Sequence, residues 1–196
     1  MTVSTRPADD SSPETAEHLQ LGEQRERRTR LFGLALFIVA ETMIFVPVFA
    51  IRFLLAGTAR PADLDDGFAL VLTAVMVASF AAMHIARRAA RRDRWPAAAA
   101  GLWAAAVLGL VTAVGSGIGW ADPALDAASD FGGTFYLATG AHALHLVAGA
   151  AFVAGLAVQA RRGRLAGGRT LLDVAYWFWA FLLVVWLAIE VIFYLM

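Results

Sequence analysis

The sequence predicts an all-α polytopic membrane protein with five transmembrane helices, its N-terminus in the cytoplasm and its C-terminus outside. Three observations carry this. Of the 196 residues 60% are apolar and only 16% charged, outside the usual range for a soluble domain of this size. The apolar residues fall into five runs, each about long enough to cross a bilayer as a helix. All sixteen basic residues are arginines, and nearly all lie between those runs or before the first of them. The absence of cysteine excludes a disulfide framework, a thiolate metal site and a cysteine nucleophile. The formal net charge of zero offers no global electrostatic steering, so the distribution of charge carries the information.

Residues 1–30 are polar, with Pro7, Pro13 and four acidic residues by Glu17, and read as a disordered or surface-lying cytoplasmic tail. No apolar region follows Arg6 closely enough for a signal peptide. The five-helix domain occupies residues 31–196. Its first span covers about 31–55 and contains Glu41 near its middle and Pro47 beyond it. Proline is tolerated there because neighbouring helices or water can satisfy the freed carbonyl. An acidic linker with Asp63, Asp65 and Asp66 leads to span two, about 67–86. The arginine-rich stretch 87–95 leads to span three, about 96–120 and rich in alanine. An acidic loop with Asp122, Asp126 and Asp130 precedes span four, about 130–160. Another arginine-rich loop precedes span five, about 171–196.

Arginine counts in the short loops set the orientation. Four arginines (25, 27, 28 and 30) precede span one, five lie between spans two and three, and four between spans four and five. The first loop has only Arg60, with Arg52 at the end of its helix, and the third has none. The alternation holds over all five spans. No stretch between spans is long enough for a catalytic domain outside the membrane, and no internal repeat is present.

The chain is organised around FGGTFYLATGAHALHLVAG, residues 131–149, where His142 and His145 lie three residues apart on one helix face. Imidazoles are costly in hydrocarbon and belong in the bundle interior. Glycines 132, 133, 140 and 149 permit close helix contact around them. Two such histidines can present nitrogens to one metal ion, yet neither a cysteine nor an obvious carboxylate completes a ligand set, and the other histidines are His18 and His84. The reading is therefore an interhelical polar pair, bound to Glu41 or to a lipid group, with no metal. Glu41 is the strongest single candidate, as a proton-related carboxyl or as a structural one, because a central carboxylate is retained only with a partner or a task. Arg87, Arg88, Arg91 and Arg161 fix topology and are placed to meet anionic phospholipid headgroups. Trp95, Trp120 and Tyr194 read as interface anchors, and Trp179 and Trp186 share a helix face suited to a partner helix or lipid. Glu190 reads as reaching the outer interface.

On these residues the sequence resembles subunit III of the haem–copper terminal oxidases, the cytochrome c and quinol oxidases. The family pattern fGstFyxxTGxHxxHvxxG is met by Phe131, Gly132, Thr134, Phe135, Tyr136, Thr139, Gly140, His142, His145 and Gly149. GLALFIVAETMIF, residues 33–45, resembles the LF-xx-SE-xx-FF run and puts Glu41 on the family's intramembrane glutamate. Five spans agree with the shorter bacterial form, which lacks the first two of seven helices. Departures fall in span three, where Ser116 and Gly119 replace a glutamine and a glutamate. In span five Ala180 and Leu183 replace the histidine and aspartate of YWHFVDVVW.

The resemblance implies an accessory subunit of a proton-pumping oxidase in the bacterial plasma membrane, itself non-catalytic. It would stand beside catalytic subunit I and subunit II, which reduce dioxygen to water and carry the haem and copper, with no cofactor of its own beyond bound phospholipid. It further implies a lipid cleft between the first two helices and the last three, and a place for Glu41 near the proton-uptake side. A subunit-III-like companion of nitric oxide reductase and a small proton channel or transporter are the alternatives.

Overall fold

The computed structural model describes residues 13–163, 165 and 169–196. Five helices follow one another: α1 (Pro13–Ala56), α2 (Asp66–Arg91), α3 (Trp95–Gly119), α4 (Asp130–Arg161) and α5 (Arg169–Ile189), the last continuing as a π-helical segment, Glu190–Leu195. Each contains a stretch long and apolar enough to span a membrane, the first being Arg28–Ala56. Residues 1–12 of the expected tail lie outside the described residues, and from Pro13 the chain is already helical. Two compact units are distinguished, 1–37 and 38–196. The first contributes only the leading part of α1; everything below concerns the second.

The helix ends follow from local chemistry. Asp65 caps α2 by accepting from the Phe68 amide at 2.9 Å, and Arg88 and Arg91 occupy the last turn, where cations meet the negative helix end. Ser129 caps α4 through the Gly132 amide at 2.9 Å. Only glycine fits at 132, because a Cβ there would collide with the Asp126 carbonyl. Pro96 starts α3, where a missing amide costs nothing. Between α2 and α3, Asp93 takes a left-handed conformation (φ 56°), and Arg169 at the start of α5 reaches its carboxylate at 2.7 Å.

Helices α2, α3, α4 and α5 close on one another, α3 between α2 and α4, with α5 against α2 and α4. Small residues let backbones approach: a Cβ on Gly101 would lie 2.9 Å from the Ala86 methyl, and one on Gly109 2.7 Å from the Trp179 ring. The core holds Met76, Met83, Leu102, Leu146, Trp179 and Trp186, all essentially buried. Both indoles donate to hydroxyls of α2. Trp179 Nε1 reaches Ser79 Oγ at 3.0 Å, which itself donates to the Ala105 carbonyl at 2.8 Å, and Trp186 Nε1 reaches Thr73 Oγ1 at 2.8 Å. Of the two partners the sequence left open for this tryptophan face, the structure selects a neighbouring helix.

The part of α1 beyond residue 37 meets the bundle through single side chains. Phe45 lies against Phe181 of α5 and His145 of α4, and Val48 is buried with it. Arg52 is fully buried, its guanidinium 4.7 Å from the Phe131 ring and 5.7 Å from Phe193. It donates to the carbonyls of Gly57 (2.7 Å) and Ala59 (2.9 Å), turning the first loop back over the helix end. Arg60 then binds Asp66 and the Tyr194 carbonyl, tying the loop to both α2 and the chain's last turn. Its hydrogen bond with Asp66 holds the guanidinium pKa above the usual value.

Two expectations are corrected. Glu190 does not reach the outer interface: it is 5% exposed within the π segment, with Oε2 buried and without a partner. Tyr194, expected as an interface anchor, is 8% exposed and stacks edgewise on Phe135 at 5.7 Å. Wider π geometry carries all three of Glu190, Phe193 and Tyr194 inward.

Gly109 packs directly on the buried Trp179 ring, so Gly109→Ala must displace that ring and lower stability by about 1–3 kcal/mol. Gly117→Ala, which meets nothing within 4 Å, should leave thermal unfolding in detergent unchanged.

Candidate functional site

The polar centre of the bundle is built on α4. Its two histidines sit three positions apart but are engaged by different helices. His142 is fully buried and its Nε2–H donates to the Leu182 carbonyl of α5 at 3.0 Å, while the ring lies 5.3 Å from that of Trp186. Its Nδ1 is buried with no partner, so the ring is neutral with the proton on Nε2. His142 is thus a brace between α4 and α5.

His145 turns to α1. Its Nδ1 lies 2.6 Å from the Ala141 carbonyl, one turn back on its own helix, and its Nε2 lies 2.7 Å from Glu41 Oε2. A carbonyl can only accept, so Nδ1 carries a hydrogen, and the Nε2–Oε2 contact needs one more. That hydrogen belongs to a protonated Glu41 facing a neutral imidazole, or to an imidazolium facing a carboxylate. Both forms are neutral as a pair. Removing the shared proton would leave a carboxylate against a ring lone pair, in surroundings about one-sixth exposed on each side chain. Phe45, with its ring 5.4 Å from His145, covers one side. Pro47, two residues beyond Phe45, deprives the Met43 carbonyl of its usual helical donor.

The Nε2 atom of each histidine is already committed, one to a main-chain carbonyl and one to a carboxyl, and the two point to different helices. Among the described residues no group of three His, Asp or Glu side chains comes together. His84 lies near Tyr176 (3.4 Å) at the basic end of α2, and the side chain of His18 lies outside the described ones.

The four arginines read as lipid contacts do not converge. Arg87 donates to Asp173 of α5 at 2.6 Å and lies over the Tyr176 ring at 4.2 Å; Arg91 approaches the same carboxylate at 3.7 Å. Arg88 is exposed, and Arg161 lines a separate crevice of about 480 Å³ with Trp95, Pro96 and Trp103. Asp173 was missed by the sequence reading, although a lone acid beginning an apolar run opposite five arginines was a signal for it. Where the family pattern departs, Ser116 donates to Thr112 within its own helix, and Ala180 and Leu183 are half-buried apolar contacts.

Five membrane-length helices with a carboxyl–imidazole pair in their interior define the class: a polytopic membrane protein whose described polar interior holds helices together. Residues 18–196 match the family model of cytochrome c oxidase subunit III, and the chain belongs to that family. It is also 28% identical over 166 residues to cytochrome c oxidase subunit 3 of Artemia franciscana, covering 80% of this chain and 65% of that protein.

Glu41→Gln retains a donor for His145 Nε2 and should keep thermal stability within about 0.5 kcal/mol, whereas Glu41→Leu leaves that nitrogen unpaired and should cost about 1–3 kcal/mol. Equal melting of the two variants in detergent would show that the contact is not made.

Proposed function

We propose that the chain is an accessory subunit of a respiratory haem–copper oxidase, carrying no redox centre of its own, and that it supports proton delivery to the catalytic subunit through Glu41 and His145. The reduction of dioxygen to water, the haems and the copper belong on this reading to subunits I and II. The observation that carries it is the Glu41–His145 bond, which holds one shared proton between two helices at a depth where ionisable groups are otherwise rare. Commitment of both Nε2 atoms supports placing the electron-transfer chemistry in a partner. Bracing of that partner and retention of phospholipid complete the role. Arg88 and Arg161, in no ion pair among the described residues, are the better placed of the four arginines for anionic headgroups, since Arg87 and Arg91 are drawn to Asp173.

Assembly of the oxidase should survive Glu41→Gln, because the hydrogen bond is replaced, while sustained turnover and proton uptake fall. Turnover and its decay that match the unaltered complex would sink the proposed role of Glu41.

On the same reading the N-terminus and the arginine-rich loops face the cytoplasm of a bacterial cell and the aspartate-rich loops face outside, as the arginine asymmetry dictates. The chain has no cysteine, so a single introduced one reports cleanly. An impermeant maleimide should label Ala62→Cys in intact cells and Arg162→Cys only after permeabilisation. The reverse pattern would invert the topology.

A further inference from the structure

We propose that Glu190 is a second proton-binding carboxyl of this chain, holding a proton on Oε2 and exchanging it with the aspartate-rich end of the bundle, apart from the Glu41–His145 pair. Glu190 opens the π segment, whose wider winding carries its side chain into the interior instead of out to the interface. An ionisable group kept there asks for a partner or a task.

Hydrogen bonding fixes where the proton sits. The Trp186 indole can only donate, and it donates to Thr73 Oγ1 at 2.8 Å, so the Thr73 hydroxyl has its own hydrogen left to give. Glu190 receives it. Oε2 is buried with no partner, so the accepting oxygen is Oε1 and the oxygen left to carry a proton is Oε2. Ionisation would place charge on that bare atom. Among the described residues Glu190 is in no ion pair: Arg60 is engaged by Asp66 and the Tyr194 carbonyl, and Arg52 by the carbonyls of Gly57 and Ala59. Asp66, the carboxylate that acts on Glu190 from α2, has the same sign. An unpaired buried charge costs far more than a hydroxyl without an acceptor, so the site holds the neutral acid.

The site opens to one end. Asp66 begins α2 with its side chain about half exposed, and Arg60 bridges it to the Tyr194 carbonyl, four residues beyond Glu190. The last turn of α5 therefore meets the aspartate-rich loop where water reaches a carboxylate. In the other direction Leu182, Trp186 and Glu190 follow one another at four-residue spacing along α5. His142 binds the Leu182 carbonyl and meets Trp186 only through its ring, at 5.3 Å. An indole N–H does not relay protons, and among the described side chains no hydrogen-bonded path joins Glu190 to the α4 histidines. Only the naming of the aspartate-rich end as the outer one rests on the topology proposed above.

Infrared spectroscopy of the full chain in nanodiscs tests this. At neutral pH the difference between the unaltered chain and Glu190→Gln should contain the carbonyl stretch of one protonated carboxyl, moving to lower frequency when water is replaced by deuterium oxide. Glu41→Gln should leave that band and its exchange unchanged. Thr73→Val, which removes the donor to Oε1, should move the band to higher frequency, and it keeps the test readable if Glu190→Gln fails to fold. The paired stretches of an ionised carboxylate in the difference spectrum overturn the proposal, as does a band that Thr73→Val leaves in place or one whose exchange stops in Glu41→Gln. Loss of the proposed role of Glu41 in turnover would not bear on it, since the measurement uses this chain alone.

Discussion

An imidazole in hydrocarbon has two nitrogens to satisfy, and His145 spends one of them on its own helix. The hydrogen bond to Ala141 fixes the tautomer, so the remaining nitrogen needs a proton-sharing partner from outside α4. Glu41 is that partner, and the bond between them holds α1, a helix otherwise attached by isolated side chains, to a bundle that closes without it. The same demand recurs throughout the interior. His142 binds a carbonyl of α5, the two buried indoles bind hydroxyls of α2, and Arg52 binds carbonyls of the loop that follows it. Alongside the close contacts made by small residues, these bonds fix polar groups that have no water to turn to.

That rule explains which parts of the architecture the sequence could reveal. The five spans were legible because hydropathy and length alone decide them, and Glu41 because a lone carboxylate interrupts an apolar run. Spacing put His142 and His145 on one side of a helix, but a separation of three residues spans enough of the circumference for two neighbours to share them. Their division between α5 and α1 depends on where those helices lie, which no local pattern records. Thr73 and Ser79 passed unnoticed because a hydroxyl in an apolar run changes its hydropathy little. Arg52 was read as a topology marker, since an arginine at a helix end ordinarily reaches water. Here the loop folds back and Phe131 and Phe193 enclose it.

Membership of the cytochrome c oxidase subunit III family and the departures from its pattern are compatible for a physical reason. The histidine and aspartate absent at 180 and 183 are replaced by apolar contacts, while the α4 histidines and Glu41, which tie helices together, are kept. On the arginine-rich side Asp173 and Asp93 pair with Arg87 and Arg169, fastening α5 to α2 and to the turn after it.

The π-helical close of α5 has a consequence for how the chain can vary. A segment that bonds five residues apart instead of four holds one residue more than an ordinary turn. Phe193 and Tyr194, adjacent in sequence, both face inward for that reason. Loss of one residue between 190 and 195 would return the backbone to regular winding, rotate one of the two aromatics towards the acyl chains, and leave the upstream helix in register. The carboxy-terminal turn is thus a place where length can drift by a single position without disturbing the membrane-embedded bundle.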